Sequence, residues 1–348
     1  NSEGGDPSQT ERELKRSFQF AYTGGTGFTA DVKFPYTAGD LNTNVEANLI
    51  PWKLNGTEWA GRANNFTRDA ANDFVLSSGI PADTLLQEWK LADPFYSLTT
   101  KAFLRGAWNS GTGLMNTTLN TAGIIPLSQP FNTAPFNYAG TESVGSIPAN
   151  VVDWVLLEVR KPATGLAPDA GSSTITGRKA LFLLNNGNIV DLDGVSSPNL
   201  PIYKQGNGNY IAVRHRNHLG MLSNTADATS TGIANDFSLL SNVYKSSSAS
   251  SDPVVALTSS TNFGMWTGDV IGSTGAGSVN SSDLNSLKSA ISNLLTGYLR
   301  ADVNLSNSIN SADLNLVKST IASLGSTSTP LRLTAQSMDK EVSSSLPE

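Results

Sequence analysis

Residues 178–194 read RKALFLLNNGNIVDLDG. Asn186-Gly187 stands between two apolar runs, and both residue types tolerate the positive φ of a type I′ turn, so the stretch predicts a β-hairpin. Two further long runs flank it, VVDWVLLEVR at 151–160 and NYIAVRHRNHL at 209–219. Together they lead to the expectation of an antiparallel β domain. Residues 124–148 carry Pro, Asn and aromatics without a period and read as a long ordered loop. A Ser-rich stretch at 246–251 precedes a further strand candidate at 254–257.

Upstream, short alternating runs are separated by turn signals: SFQFAY, GGTG, FTADVKFPY, NLIPWKL with Asn55-Gly56, and EWKLAD ending at Asp93-Pro94. This spacing predicts the hairpins of a small β-sandwich. Phe18, Phe20 and Tyr22 fall two apart and should share one face.

The 348 residues are 39% hydrophobic, enough to build cores for two or three domains, yet only 15% charged. Ser, Thr, Asn and Gly replace the missing charge, as on an extracellular β protein. The net charge of −6 and the scattered Lys and Arg offer no basic stripe for a phosphate backbone, which excludes nucleic acid as a partner. No apolar run approaches the roughly 18 residues of a spanning helix. Residues 1–10 are polar where a leader would place charge and then an apolar core, so the expectation is an exported chain whose leader has been removed. The lack of Cys rules out disulfides, thiolate metal sites and Cys nucleophiles.

The C-terminal part has a different period. SVNSSDLNSLKSAISNL at 278–294 returns at 308–324 as SINSADLNLVKSTIASL, with ten of seventeen positions identical. Leu284, Leu287, Ile291 and Leu294, and in the second copy Leu314, Val317, Ile321 and Leu324, fall at helical spacing. Two loop-helix units are expected. The second loop, 302–313, fits a twelve-residue calcium loop with Asp302, Asn304, Ser306, Ser308, Asn310 and Asp313 at positions 1, 3, 5, 7, 9 and 12. Ser308 would contribute its backbone carbonyl. Ser306 stands where a carboxylate is usual and Asn307 replaces the turn Gly, although Asn can take the left-handed conformation. With two carboxylates the affinity should be modest. In the first copy Asp269, Asn280 and Asp283 are the matching candidates, with three extra residues breaking the register. The competing reading is that these Asp and Asn side chains only cap the helices that follow.

The repeat at about 267–325 resembles the type I dockerin module, on the D-V-N start at 302–304 and the N-S-x-D-L ends at 280–284 and 310–314. The resemblance implies calcium and docking to a cohesin-like partner. The segments FLRGAWNSGTGLMNTTLNTAGIIPLSQPFNTAPFNYAGTE, DWVLLEVR, VDLDGV and YIAVRHRNHLGML resemble a module of large secreted surface proteins of Bacteroidota. That implies the cell surface or the medium, reached by type IX secretion. The expected architecture is mainly β: an arm and small sandwich at 1–96, a second antiparallel sandwich at 97–262, a small helical dockerin-like repeat at 263–325 and a tail at 326–348.

Catalytic signals are weak. His215 and His218 in RHRNH lack a third His or a Cys and read as a strand-end polar cluster. Asp191 and Asp193 read as turn residues at Gly194. There is no G-x-S-x-G, H-E-x-x-H or Walker loop. The six Trp fall mostly in alternating runs and are expected in cores rather than on a sugar platform. Thr84 in Asp83-Thr84-Leu85 matches the short O-glycosylation pattern of Bacteroidota. The expectation is a non-enzymatic structural or adhesive surface protein that self-assembles through strand exchange by SFQFAY and by PLRLTA at 330–335. The alternative is a glycan-binding module that docks to a surface partner. A third use of the repeat is to brace its own β domain.

Overall fold

The computed structural model describes residues 14–42, 44–56, 58–201, 208–226, 233–247, 249, 251–272 and 278–324. The protein is mainly β, and the described residues form several antiparallel sheets and four helices, with 32% strand and 18% helix. Two compact units divide the described residues, one chiefly 14–97 and the other chiefly 98–199 and 233–324. The duplicated helical segment lies in the second unit with the large sheet.

In the first unit, Ser17–Phe18, Trp89–Ala92, Ile50–Asn55 and Glu58–Gly61 lie side by side in that order, and Thr29–Pro35, Phe74–Pro81 and Phe66–Asp69 form a second sheet. Alternation along each strand sends Val32, Phe34, Val75, Ile80, Trp89 and Leu91 into one shared core. Phe34 is its centre: Phe18 and Phe20 meet its ring edge-on at 5.1 and 5.8 Å, and Trp89 tilts against it at 5.6 Å. The expected common face of Phe18, Phe20 and Tyr22 is present, although only Ser17–Phe18 of that run pairs as strand.

In the second unit, Phe95–Lys101, Asn188–Val190, Ile175–Leu184, Val151–Arg160, Tyr210–Arg214 and Met221–Leu222 are neighbours in that order, all antiparallel. Ile233–Asp236 joins Phe95–Lys101 in parallel. The hairpin of 178–194 forms, but its turn is not type I′: Gly187 N–H donates to Leu184 O, and of the two predicted turn residues only Gly187, at φ 90°, is left-handed. Such a turn closes with a glycine bulge. A Cβ on Gly187 would lie 2.9 Å from the Phe103 ring, so close packing also requires the glycine.

All ten residues of Val151–Arg160 are buried, so both faces of this central strand are covered. Successive residues point to opposite faces. Trp154 donates its indole N–H to Pro126 O at 2.8 Å, which places the 124–148 loop over one face. On that face Glu158 and Arg160 neutralise each other at 2.5 Å, and Arg160 also donates to Ala170 O. Asp153 looks the other way, toward the duplicated segment.

Candidate metal centre and the polar joint beneath it

The duplicated segment forms two helices, Ser281–Ser292 and Ser311–Leu324. Leu287, Val317 and Leu324 are buried in one cluster with Leu219 and Trp266 from the β part, and Leu284, Ile291, Leu314 and Ile321 pack against it. Leu294 departs from the expected stripe. The first helix stops at Ser292, and Leu294 takes φ 51° and is 85% exposed.

Both helices are capped by the residues picked out as metal candidates. Asn280 Oδ1 accepts from Ser282 N–H and Asn310 Oδ1 from Ala312 N–H, each at 2.8 Å. Asp283 and Asp313 answer with one oxygen to the backbone N–H of Asn280 and Asn310, each at 2.9 Å, completing capping boxes. Their other oxygens reach back to the loop starts. Asp283 Oδ1 accepts from Val270 and Ile271 N–H, and Asp313 Oδ1 accepts from Val303 and Asn304 N–H. These matching bonds superpose Asp269 on Asp302, Ile271 on Asn304 and Gly272 on Leu305. Gly272 and Leu305 are both left-handed, at φ 67° and 57°.

The second loop curls around Asp302. Its Oδ1 accepts from Ser306 N–H at 2.9 Å and its Oδ2 from Asn307 N–H at 2.8 Å, with Asn307 left-handed at φ 65° where the twelve-residue loop turns. Asn304 Oδ1 also accepts from Ser306 N–H, and Ser306 Oγ donates to Ser308 O. Asp302 and Asp313 are fully buried and belong to no ion pair among the described residues. Burial raises both carboxyls above their ordinary values; at Asp302 the charge of Arg216 opposes this and that of Asp313 adds to it. Each carboxylate oxygen has about two acceptor positions, and among the described residues the two oxygens of Asp302 accept one backbone N–H each. Two buried carboxylates without an ion pair among the described residues, with amide, hydroxyl and carbonyl oxygens on one curled loop, fit a hard divalent cation. Capping does not compete, since N-cap and third helical residue are positions 9 and 12 of such a loop. Among the described residues no three His, Cys, Asp or Glu side chains converge as a metal cluster, so most of these oxygens would come from Asn, Ser and backbone.

Beneath the loops lies a buried polar joint. Asp153 accepts from Arg216 Nε at 2.9 Å and Tyr298 OH at 2.5 Å, and its Oδ2 lies 3.2 Å from His215 Nε2. Arg216 Nη1 also donates to Leu299 O. Asn217 touches both loop starts. Its carbonyl accepts from Gly268 and Asp269 N–H, and its Nδ2 donates to Arg300 O at 3.0 Å and Asp302 O at 2.8 Å. Gly106 N–H donates to His218 Nε2 at 3.2 Å, which puts the His218 proton on Nδ1, facing Asn217 Oδ1 at 2.8 Å and His215 Nδ1 at 3.0 Å. His215 then carries its proton on Nε2 and gives it to Asp153. Burial pushes the pKa of His215 down and that of His218 far down, so both rings are neutral. Burial alone would raise Asp153, but the Arg216 charge, with His215 and Tyr298, holds it at about 2.

RHRNH is therefore a strand-end polar cluster, as read from the sequence, but a carboxylate that the sequence reading missed stands within reach of it. Asp191 pairs with Lys179 at 2.6 Å, and Asp193 accepts from Val195 and Ser196 N–H within its turn. Trp52, Trp59, Trp89, Trp154 and Trp266 are buried, while Trp108 is half-buried and donates to Thr258 O. Thr84 is half-buried, with its hydroxyl donating to Pro81 O at 2.9 Å. PLRLTA at 330–335 lies outside the described residues. No family model, curated protein or solved structure matches the chain.

Proposed function

We propose that this is a non-enzymatic, extracellular structural or adhesive protein, with two β-sandwich units and a dockerin-like repeat whose second loop binds calcium and braces the second unit. The observation that carries the reading is the joint: Asn217 holds the start of both loops, and Arg216 and Asp153 hold the link between the repeats. A module built to dock elsewhere would gain little from burying its loop starts in its own sheet. A loop fixed at one end to a sheet transmits its order to that sheet, and a cation that neutralises Asp302 and Asp313 supplies the order. Further support comes from the histidines, which are buried and hydrogen-bonded to protein on both nitrogens, with no atom left for a substrate. The glycan reading finds less support, because five of the six Trp are buried.

Calorimetry of the whole chain, with calcium chloride or with chelator, tests the proposal. Calcium is expected to raise the midpoint of one transition that contains both repeat and large sheet, and Asp302→Ala should lose the rise. Separate melting of repeat and sheet, or no response to calcium, would refute it. For the self-assembly part, electron microscopy and light scattering of the chain with and without residues 1–16 or 326–348 should show filaments only in the intact chain.

A further inference from the structure

The two loops begin alike and then part. In the second, position 3 is Asn304; in the first, the matching residue is Ile271, 48% exposed and without an oxygen to offer. The larger difference is a side chain that enters from outside the loop. Arg300, two residues before Asp302, donates from Nη2 to Asp269 O at 3.0 Å, and the same nitrogen lies 3.7 Å from Asp269 Oδ2. Its guanidinium rests on Gly272: a Cβ there would fall 2.4 Å from Nη1 and 2.6 Å from Cζ. The second copy has Leu305 at that position, so the glycine both takes the left-handed turn and makes room for the cation. Burial lowers Arg300, and the charges of Asp269 and Asp283 oppose that, so both ends of the first loop act on one guanidinium.

Resting on the calcium reading of the second loop, we infer that Arg300 supplies the cation of the first loop, so that the first loop excludes calcium and the chain binds one ion. A divalent ion on the Asp269 carboxylate would stand close to the guanidinium that already lies 3.7 Å from it, and like charges close together repel strongly where water is scarce. Arg does not lose its proton in proteins, so the exclusion holds at any working pH. Because Arg300 belongs to the link between the copies, one segment delivers the charge of the first loop and opens the second.

Isothermal titration of the full, metal-stripped chain with calcium chloride tests this. One ion per chain is expected, retained in Asp269→Asn and lost in Asp302→Ala. Two ions, or one ion that Asp269→Asn removes, would overturn the inference. Thermal melting in chelator is run alongside, because it reads the Arg300 contact without calcium. Arg300→Gln and Asp269→Asn should each lower the midpoint, and the double variant should lower it by less than the sum. Additive shifts would overturn the inference. A chain that binds no calcium but shows this coupling would remove the calcium reading of the second loop and keep Arg300 as the cation of the first.

Discussion

Replacing Asp153 by Asn changes one atom and removes the negative charge that pairs with Arg216 in a buried knot. Oδ2 faces two donors, Arg216 Nε at 2.9 Å and His215 Nε2, while Oδ1 faces Tyr298 OH and the N–H of Trp154. An amide nitrogen in the first position would oppose two N–H groups. In the second it can donate to the Tyr298 oxygen but opposes Trp154 N–H, so that orientation should be adopted, with Arg216 left charged and unpaired. Removing one partner of a buried ion pair costs about 3–5 kcal/mol. For a unit of this size that lowers the melting midpoint by roughly 6–20 °C. Urea unfolding followed by Trp fluorescence reads the loss directly, since Trp154 adjoins the knot and Trp266 sits in the repeat core. The midpoint should fall with the denaturant slope unchanged. Adding Arg216→Met should recover part of the loss by removing the orphaned charge. A loss below about 1 kcal/mol, the scale of an exposed pair, or a double variant no better than the single, would refute the claim that this knot holds the link to the sheet.

Other perturbations separate the joint from the rest of the chain. Gly106→Ala would put a Cβ 1.9 Å from Val303 O, so the backbone must part there; calcium titration should show affinity weakened at least tenfold, about 1.4 kcal/mol. Phe34→Ala opens the core of the first unit and should cost about 3–5 kcal/mol by calorimetry, with the calcium response of the second unit unchanged. On acidification in chelator, Asp153, held at about 2 against an ordinary 3.8, contributes stability that is whole above the ordinary value and lost as pH falls toward 2. Asp302 and Asp313 are raised, so their ionisation lowers stability as pH climbs through their folded values. Melting across acid pH should therefore show wild type falling at low pH where Asp153→Asn does not, and calcium should stabilise most at neutral pH.

What could be read from the sequence depended on how far apart the partners lie in the chain. The hairpin at 178–194 and the helix of each repeat follow from neighbours a few residues apart, and each forms. The turn type was misread because the signal Asn-Gly fits two turns, both of which take a left-handed Gly187, and the pair alone does not choose between them. Leu294 was misread because periodicity marks a face but not where the helix stops. Asp153 and Tyr298 are 145 positions apart, and no local pattern joins them. One trace was available: VVDWVLLEVR places Asp153, Glu158 and Arg160 in a run otherwise apolar, and a charge in a buried strand needs a partner. Glu158 and Arg160 pair with each other across two residues; Asp153 has no such neighbour, which points to a partner from elsewhere in the chain.

The joint also accounts for why two similar loops need not behave alike. A duplicated element brings two loop starts to the same turn, just past the strand Tyr210–Arg214, and that turn offers one Asn217. Its backbone carbonyl can only accept, so it takes the amides of Gly268 and Asp269; its side-chain nitrogen can only donate, so it takes the carbonyls of Arg300 and Asp302. The first loop is thus held by its amides and the second by its carbonyls. Holding the second by the carbonyl of Arg300 fixes the backbone from which the guanidinium reaches Asp269. One residue thus holds the two loops differently, by its backbone carbonyl at the first, where Arg300 lies, and by its side-chain amide at the second, where Asp302 and Asp313 are buried without an ion pair among the described residues.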